Sequence, residues 1–174
     1  EVKVNEYFNQ DELLEIQINL KLITNTTKNN SLICNVYPFD YETSSNIIEI
    51  SDLICTNFIH RTEWEYLRNN DIISLYLQAN SPKHLYQTMQ KNKTYGFIIR
   101  DQTLLLGIII LQCNWHTDGS SYMQVKRLHT NFNVQDYKGI GKALIAIAKI
   151  FSSSMNIKTL MTTASMPDRG FFEK

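Results

Sequence analysis

The chain has 174 residues, enough for one domain with a sizeable core, and its 43% hydrophobic and 20% charged content is that of an ordinary globular domain. Its 17 basic and 17 acidic residues cancel, which argues against broad nucleic-acid binding. The longest apolar run, Leu104 to Leu111, is strand-sized, so neither a membrane span nor a membrane partner is expected. Cys34, Cys55 and Cys113 are an odd number at wide spacing, no CxxC occurs, and the histidines lack ligand spacing. Neither a disulfide framework nor a metal site is expected, and a reducing compartment such as the cytoplasm fits this cysteine usage.

Leu14, Ile16, Ile18, Leu20 and Leu22 alternate with polar residues, which predicts a half-buried strand. The polar run Asn25 to Asn30 is a turn or loop. Leu32 to Tyr37 returns as a second strand closed by Pro38, making an antiparallel hairpin. Residues 38–46 read as a polar connection, and Ile47 to Ile50 fits strand or helix equally. From Ser51 to about Lys91 the pattern is helical, with candidates at Glu63 to Arg68, Asp71 to Gln78 and Pro82 to Gln90. Asp71 can cap the second of these, and Ser81-Pro82 places a cap and a first-turn proline in order.

Tyr95 to Arg100 and Thr103 to Cys113 are strands joined by a tight turn at Asp101-Gln102. Asp118-Gly119 marks another hairpin turn before a strand at Ser121 to Thr130. Gly139 then opens a helix to about Ser154, with Ile140, Leu144, Ile147 and Phe151 on one face. Ile157 to Thr163 is a further strand, and Pro167 starts a short helix to Lys174. A crossover helix between 121–130 and 157–163 makes those two strands parallel neighbours. The expected class is α/β (α+β): a mixed, mostly antiparallel sheet flanked by helices, with an extra N-terminal β-hairpin. The expected organisation is one domain over 1–174, comprising the hairpin extension (1–44), a helical region (45–92) and a core (93–174). The hairpin is either extra sheet at the domain edge or an edge for pairing in a homodimer.

The segment Asp136-Tyr137-Lys138-Gly139-Ile140-Gly141-Lys142-Ala143 lies between a strand and a helix start. The first N–H groups of a helix have no intrahelical partner, and the helix dipole favours an anion there. Glycine lets the backbone approach a phosphate closely, and Lys138 and Lys142 add charge. Exposed lysines are common, but two that bracket a GxG at a helix start favour phosphate contact. A P-loop and a Rossmann fingerprint are both missing, because no GxxxxGK[ST] or GxGxxG occurs.

In order and motif the chain resembles the GNAT superfamily of acyl-CoA-dependent N-acetyltransferases, well over residues 70–174 and loosely before. The family signature Arg/Gln-x-x-Gly-x-Gly/Ala here reads Asp136-Tyr137-Lys138-Gly139-Ile140-Gly141. Gly170-Phe171-Phe172-Glu173-Lys174 resembles the segment that leads into the family's closing strands, and Leu128-His129-Thr130 resembles the end of its fourth strand. The resemblance implies acetyl-CoA as co-substrate, bound by Leu128, His129, Thr130, Gln135, Tyr137, Lys138, Gly139, Ile140, Gly141, Lys142 and Ala143. It implies that the 121–130 and 157–163 strands part to admit the pantetheine arm, and that main chain near His129 and Thr130 holds the acetyl carbonyl. The function implied is direct acetyl transfer to a primary amine: a protein lysine, a protein N-terminus or a small amine.

Three positions depart from the pattern. Asp136 stands where the family has Arg or Gln, a role that Gln135 can take if the loop carries one more residue. Gln124 falls on the family's general-base Glu, and an amide accepts no proton at neutral pH. Phe172 falls on a Tyr that donates a proton. His129 is the remaining base candidate at the expected cleft, against the plainer reading of a strand histidine turned the other way. These departures motivate an alternative: a degenerate GNAT-like module that binds acyl-CoA or a protein partner without turnover.

Overall fold

The apolar run at Leu104 is long because its strand is covered on both faces. Leu105 to Leu111 are all buried, with only the glycine at 107 interrupting the large side chains. The structure, a computed structural model, describes residues 18–22, 30–60, 70–134 and 137–163. The strands are β1 (Ile18–Leu22), β2 (Asn30–Pro38), β3 (Thr94–Asp101), β4 (Leu104–Trp115), β5 (Ser121–Thr130), β6 (Tyr137–Lys138) and β7 (Leu160–Thr162). The helices are α1 (Ser44–His60), α2 (Asn70–Ala79), α3 (Pro82–Met89) and α4 (Ile140–Ser154). They flank a seven-stranded sheet of order β6-β1-β2-β3-β4-β5-β7. Every pairing is antiparallel except β5 with β7, which is parallel, as a crossover through α4 requires.

Alternation along the strands sorts the core into two layers. On one face Phe97, Ile109, Leu111, Met123 and Val125 meet Leu144, Ile147, Ala148 and Phe151 of α4. Phe151 sits edge-on to both Tyr95 and Phe97, with ring centroids 4.7 and 5.0 Å away. Tyr95 is thus a core residue. On the other face Ile98, Ile108 and Ile110 meet Ile47, Ile50 and Ile54 of α1 and Leu85 and Met89 of α3. Arg100 of β3 ties this helical layer down through two bonds to Glu49, at 3.0 and 2.6 Å, and the carboxylate raises the guanidinium pKa.

The structure refines several expectations. Ile47 to Ile50 is helical and α1 begins at Ser44, inside the stretch read as a connection, because its apolar residues pack on the sheet at helical spacing. Asp71 lies inside the first turn of α2 rather than before it. The last strand is only Leu160–Thr162, and Ile157 is buried in the connection that precedes it. The N-terminal hairpin continues the main sheet, since β2 pairs with β3 from Asn35↔Arg100 to Pro38↔Phe97. Residues 14–17, Glu63 to Arg68, Gln135, Asp136 and the 167–174 helix lie outside the described residues.

Glycine 107 sets how close α4 comes to the sheet. A Cβ there would stand 2.9 Å from the His129 carbonyl oxygen, 3.0 Å from Ile140 Cγ2 and 3.1 Å from Leu144 Cδ1. One of these contacts is backbone, so the strand or the helix would have to move. Gly107→Ala is therefore expected to cost about 1–3 kcal/mol in urea unfolding. An unchanged midpoint would mean that the first turn of α4 is not held against β4.

Candidate functional site

The site is built where β5 ends and α4 begins. Gly139 is the N-cap of α4 with φ 90°, a left-handed conformation that an L side chain adopts at a penalty, and no side chain caps the helix. The first intrahelical bond runs from the Ala143 N–H to the Gly139 carbonyl at 2.9 Å. The N–H groups of Ile140, Gly141 and Lys142 precede that ladder and carry the positive end of the helix dipole. Lys138 and Lys142 are exposed on either side, whereas Ile140 and Ala143 are buried and hold the turn on the sheet. The glycines differ: Gly139 takes the left-handed backbone, whereas Gly141 lies inside the helix.

Tyr137 and Lys138 were expected within a turn, but they form β6, which pairs with β1 at Leu22↔Tyr137 and Lys21↔Lys138. The Tyr137 hydroxyl also donates to Asp101 Oδ2 at 2.5 Å, in the β3–β4 turn. The approach to Gly139 is therefore part of the sheet edge, fixed by the N-terminal hairpin. Neither constraint has a local sequence signal, because both partners are distant in the chain.

A register slip shapes the second half of the site. Ile110 pairs with Arg127 but Leu111 with Val125, so Lys126 is an extra residue, a β-bulge. Pairing of β5 with β7 covers only Met123 to Val125 and stops just before this bulge. Among the described residues, no strand pairs with Leu128, His129 or Thr130 on the β7 side. This end of β5 lies where the resemblance puts the pantetheine arm. The slip has a sequence trace: the inward-facing series Met123, Val125 resumes at Leu128 rather than 127.

On the helical face, Gln124 accepts a hydrogen bond from Asn114 at 3.1 Å. It is a fixed amide, with no proton-accepting function. His129 is half-buried and shares the face of Arg127, two residues before it, so it is turned toward the helices rather than toward α4. The Thr130 carbonyl accepts the side-chain N–H of buried Asn57, whose own oxygen accepts the Phe132 N–H at 3.2 Å. Asn57 thus closes the end of β5 from α1, and the pattern of the sequence pointed to neither Asn57 nor Arg127.

Among solved structures, the chain is similar to an aminoglycoside acetyltransferase from an uncultured soil metagenomic sample, solved with sisomicin (16% identity, TM-score 0.59, 80% of this chain and 83% of that one). It is also similar to a ribosomal-protein-alanine N-acetyltransferase of Brucella melitensis biovar Abortus 2308 (15% identity, TM-score 0.54, 81% and 87%). A GCN5-related N-acetyltransferase of Ralstonia eutropha JMP134 matches in the same way (14% identity, TM-score 0.57, 80% and 89%). The chain has the GNAT acetyltransferase fold. By sequence, neither a family model nor a curated protein matches it. Among the described residues no helix is long and apolar enough to cross a membrane, and no cluster of His, Cys, Asp or Glu is grouped as for a metal.

The two glycines can be separated by substitution. Gly139→Ala is expected to lose about 1–2 kcal/mol of stability, the cost of a left-handed residue with a Cβ. Gly141→Ala is expected to melt at or above the parent temperature, since alanine is favoured over glycine inside a helix by roughly 0.5–1 kcal/mol. Thermal unfolding of both variants checks this, and equal losses would contradict the division of roles.

Proposed function

We propose that the chain transfers an acetyl group from acetyl-CoA directly to a primary amine. The observation that carries this is the pairing of two features in one GNAT fold. One is a helix start whose leading N–H groups sit above a left-handed glycine, flanked by two exposed lysines. The other is the end of β5 after Val125, where no strand among the described residues pairs on the β7 side. The first fits a pyrophosphate: Ile140, Gly141 and Lys142 would offer backbone N–H groups, with Lys138 and Lys142 adding charge. The second fits an extended amide-bearing arm along Leu128, His129 and Thr130.

Acetyl-CoA supplies an activated acyl group at a thioester. The part played by the chain is to hold that group in line with an amine, and alignment alone can provide about 7–11 kcal/mol of the barrier. Backbone N–H groups on the open edge of β5 would stabilise the charge that develops on the acyl oxygen. The nitrogen–carbon bond forms as the carbon–sulfur bond breaks, and the proton lost by the amine ends on the released thiol or in water. Gln124 accepts no proton, so its part is to position the amine or a water, and His129 is the titratable group on the same face.

That gap also supports a second reading, a module of the same fold that binds acyl-CoA or a protein partner without turnover. Measuring thiol release from acetyl-CoA with amines, polyamines and peptides separates the two. Release above the amine-free rate supports the enzyme, and CoA binding without release on any acceptor supports the module. No CoA binding at all sinks both. Gly141→Ala is expected to weaken CoA binding about tenfold by titration calorimetry, the worth of roughly one hydrogen bond to a charged group. Gln124→Glu would supply the missing base. It should raise turnover by a factor on the order of 10², with the rate climbing as pH rises through the carboxyl pKa.

A further inference from the structure

Arg127 is a half-buried cation that, among the described residues, is held by neutral groups alone. It lies one residue past the bulge, on the helical face of β5. Its Nε donates to Asn80 Oδ1 at 2.7 Å, and one terminal N–H donates to the Lys126 carbonyl at 2.8 Å. Asn80 is itself fixed at the corner between α2 and α3, and is 1% exposed. Its side-chain N–H donates to the Tyr76 carbonyl at 2.9 Å, and its carbonyl accepts the Ser51 hydroxyl at 2.7 Å. The guanidinium is thereby oriented before any ligand arrives.

No carboxylate among the described residues pairs with it. On the same face Glu49 is engaged by Arg100, and Asp52 of α1 is exposed. The contrast with Arg100 is informative, because that arginine has both a strut and a counter-charge. Partly desolvating a cation without a counter-charge costs stability. A guanidinium has five N–H groups in a planar fork that matches a carboxylate, and the bonds above use two of them. The strand segment proposed above for acyl transfer begins at the next residue, Leu128.

We propose that Arg127 selects the acceptor, and that the acceptor is a small amine carrying a carboxylate. The guanidinium would hold the carboxylate while the amine reaches the edge of β5. Both groups belong to one compact molecule, because Arg127 is immediately followed by the strand segment Leu128 to Thr130. The inference rests on the acetyltransferase reading for its reaction, and on Arg127 and its surroundings for its substrate class. It sets this chain apart from an enzyme for polycationic acceptors, which a fixed cation would repel.

The test uses the full chain with acetyl-CoA and matched acceptor pairs: alanine with alaninamide, β-alanine with β-alaninamide, and spermidine as a polycation. Thiol release should favour the acids by tenfold or more in kcat/KM, expressed mainly in KM. Arg127→Gln should bring the acid-to-amide ratio close to one, and Arg127→Lys should keep part of it, with melting curves confirming that both are folded. Equal use of acids and amides by the parent chain, or a preference for spermidine, overturns the proposal. So does an equal loss on acids and amides in Arg127→Gln, which would make the residue only a strut. If CoA binds but no amine is acetylated, the enzyme reading falls, and titration calorimetry decides Arg127 separately. Binding of the acids over their amides that is lost in Arg127→Gln upholds the carboxylate site, and indifference to the carboxylate overturns it.

Discussion

The bulge at Lys126 is the constraint from which the rest of the site follows. The extra residue in β5 comes directly after its pairing with β7, and among the described residues no strand pairs with β5 on that side beyond Val125. The bulge also turns Arg127 to the helical layer, where Asn80 receives it. The same strand end places the His129 carbonyl over Gly107, so that the start of α4 can close down on β4 only because no side chain intervenes. The bulge, the oriented cation and the seat for a helix N-terminus thus lie within a few residues of one another.

Polar side chains buried in the helical layer hold that geometry. Asn57 and Asn80 sit where α1 and the α2–α3 corner meet the end of β5; Asn57 bonds to main chain at Thr130 and Phe132, and Asn80 to the Tyr76 carbonyl and the Arg127 side chain. Buried amides of this kind are costly unless satisfied, which makes them selective for one arrangement. The edge formed by β1 and β6 acts on the other side, tying the residues just before Gly139 to the hairpin and, through Tyr137, to Asp101. The cofactor turn proposed here is therefore braced from both ends.

Much of this was legible in the chain. Turn signals at Asp101-Gln102 and Asp118-Gly119 marked out the strands at Tyr95 and Ser121, and an apolar face of period 3.6 announced α4. Ser121–Thr130 has the expected bounds, and the parallel partnership of β5 and β7 followed from the crossover. The short run Ile47 to Ile50 was ambiguous because four apolar residues fit either period, and only its packing on Ile108 and Ile110 made it helical. The chemistry was less visible. Gln124 was singled out by position, but its bond to Asn114 depends on two strands coming into register.

The sequence by itself determined the class of fold and the glycine turn, because periodicity and glycine act through neighbouring residues. Tertiary structure alone decided that Tyr137 and Lys138 form a strand, that Gly107 lies beneath α4, and that Arg127 faces Asn80. Each of these joins residues far apart in the chain, and their relation is fixed by strand register and helix packing rather than by local pattern.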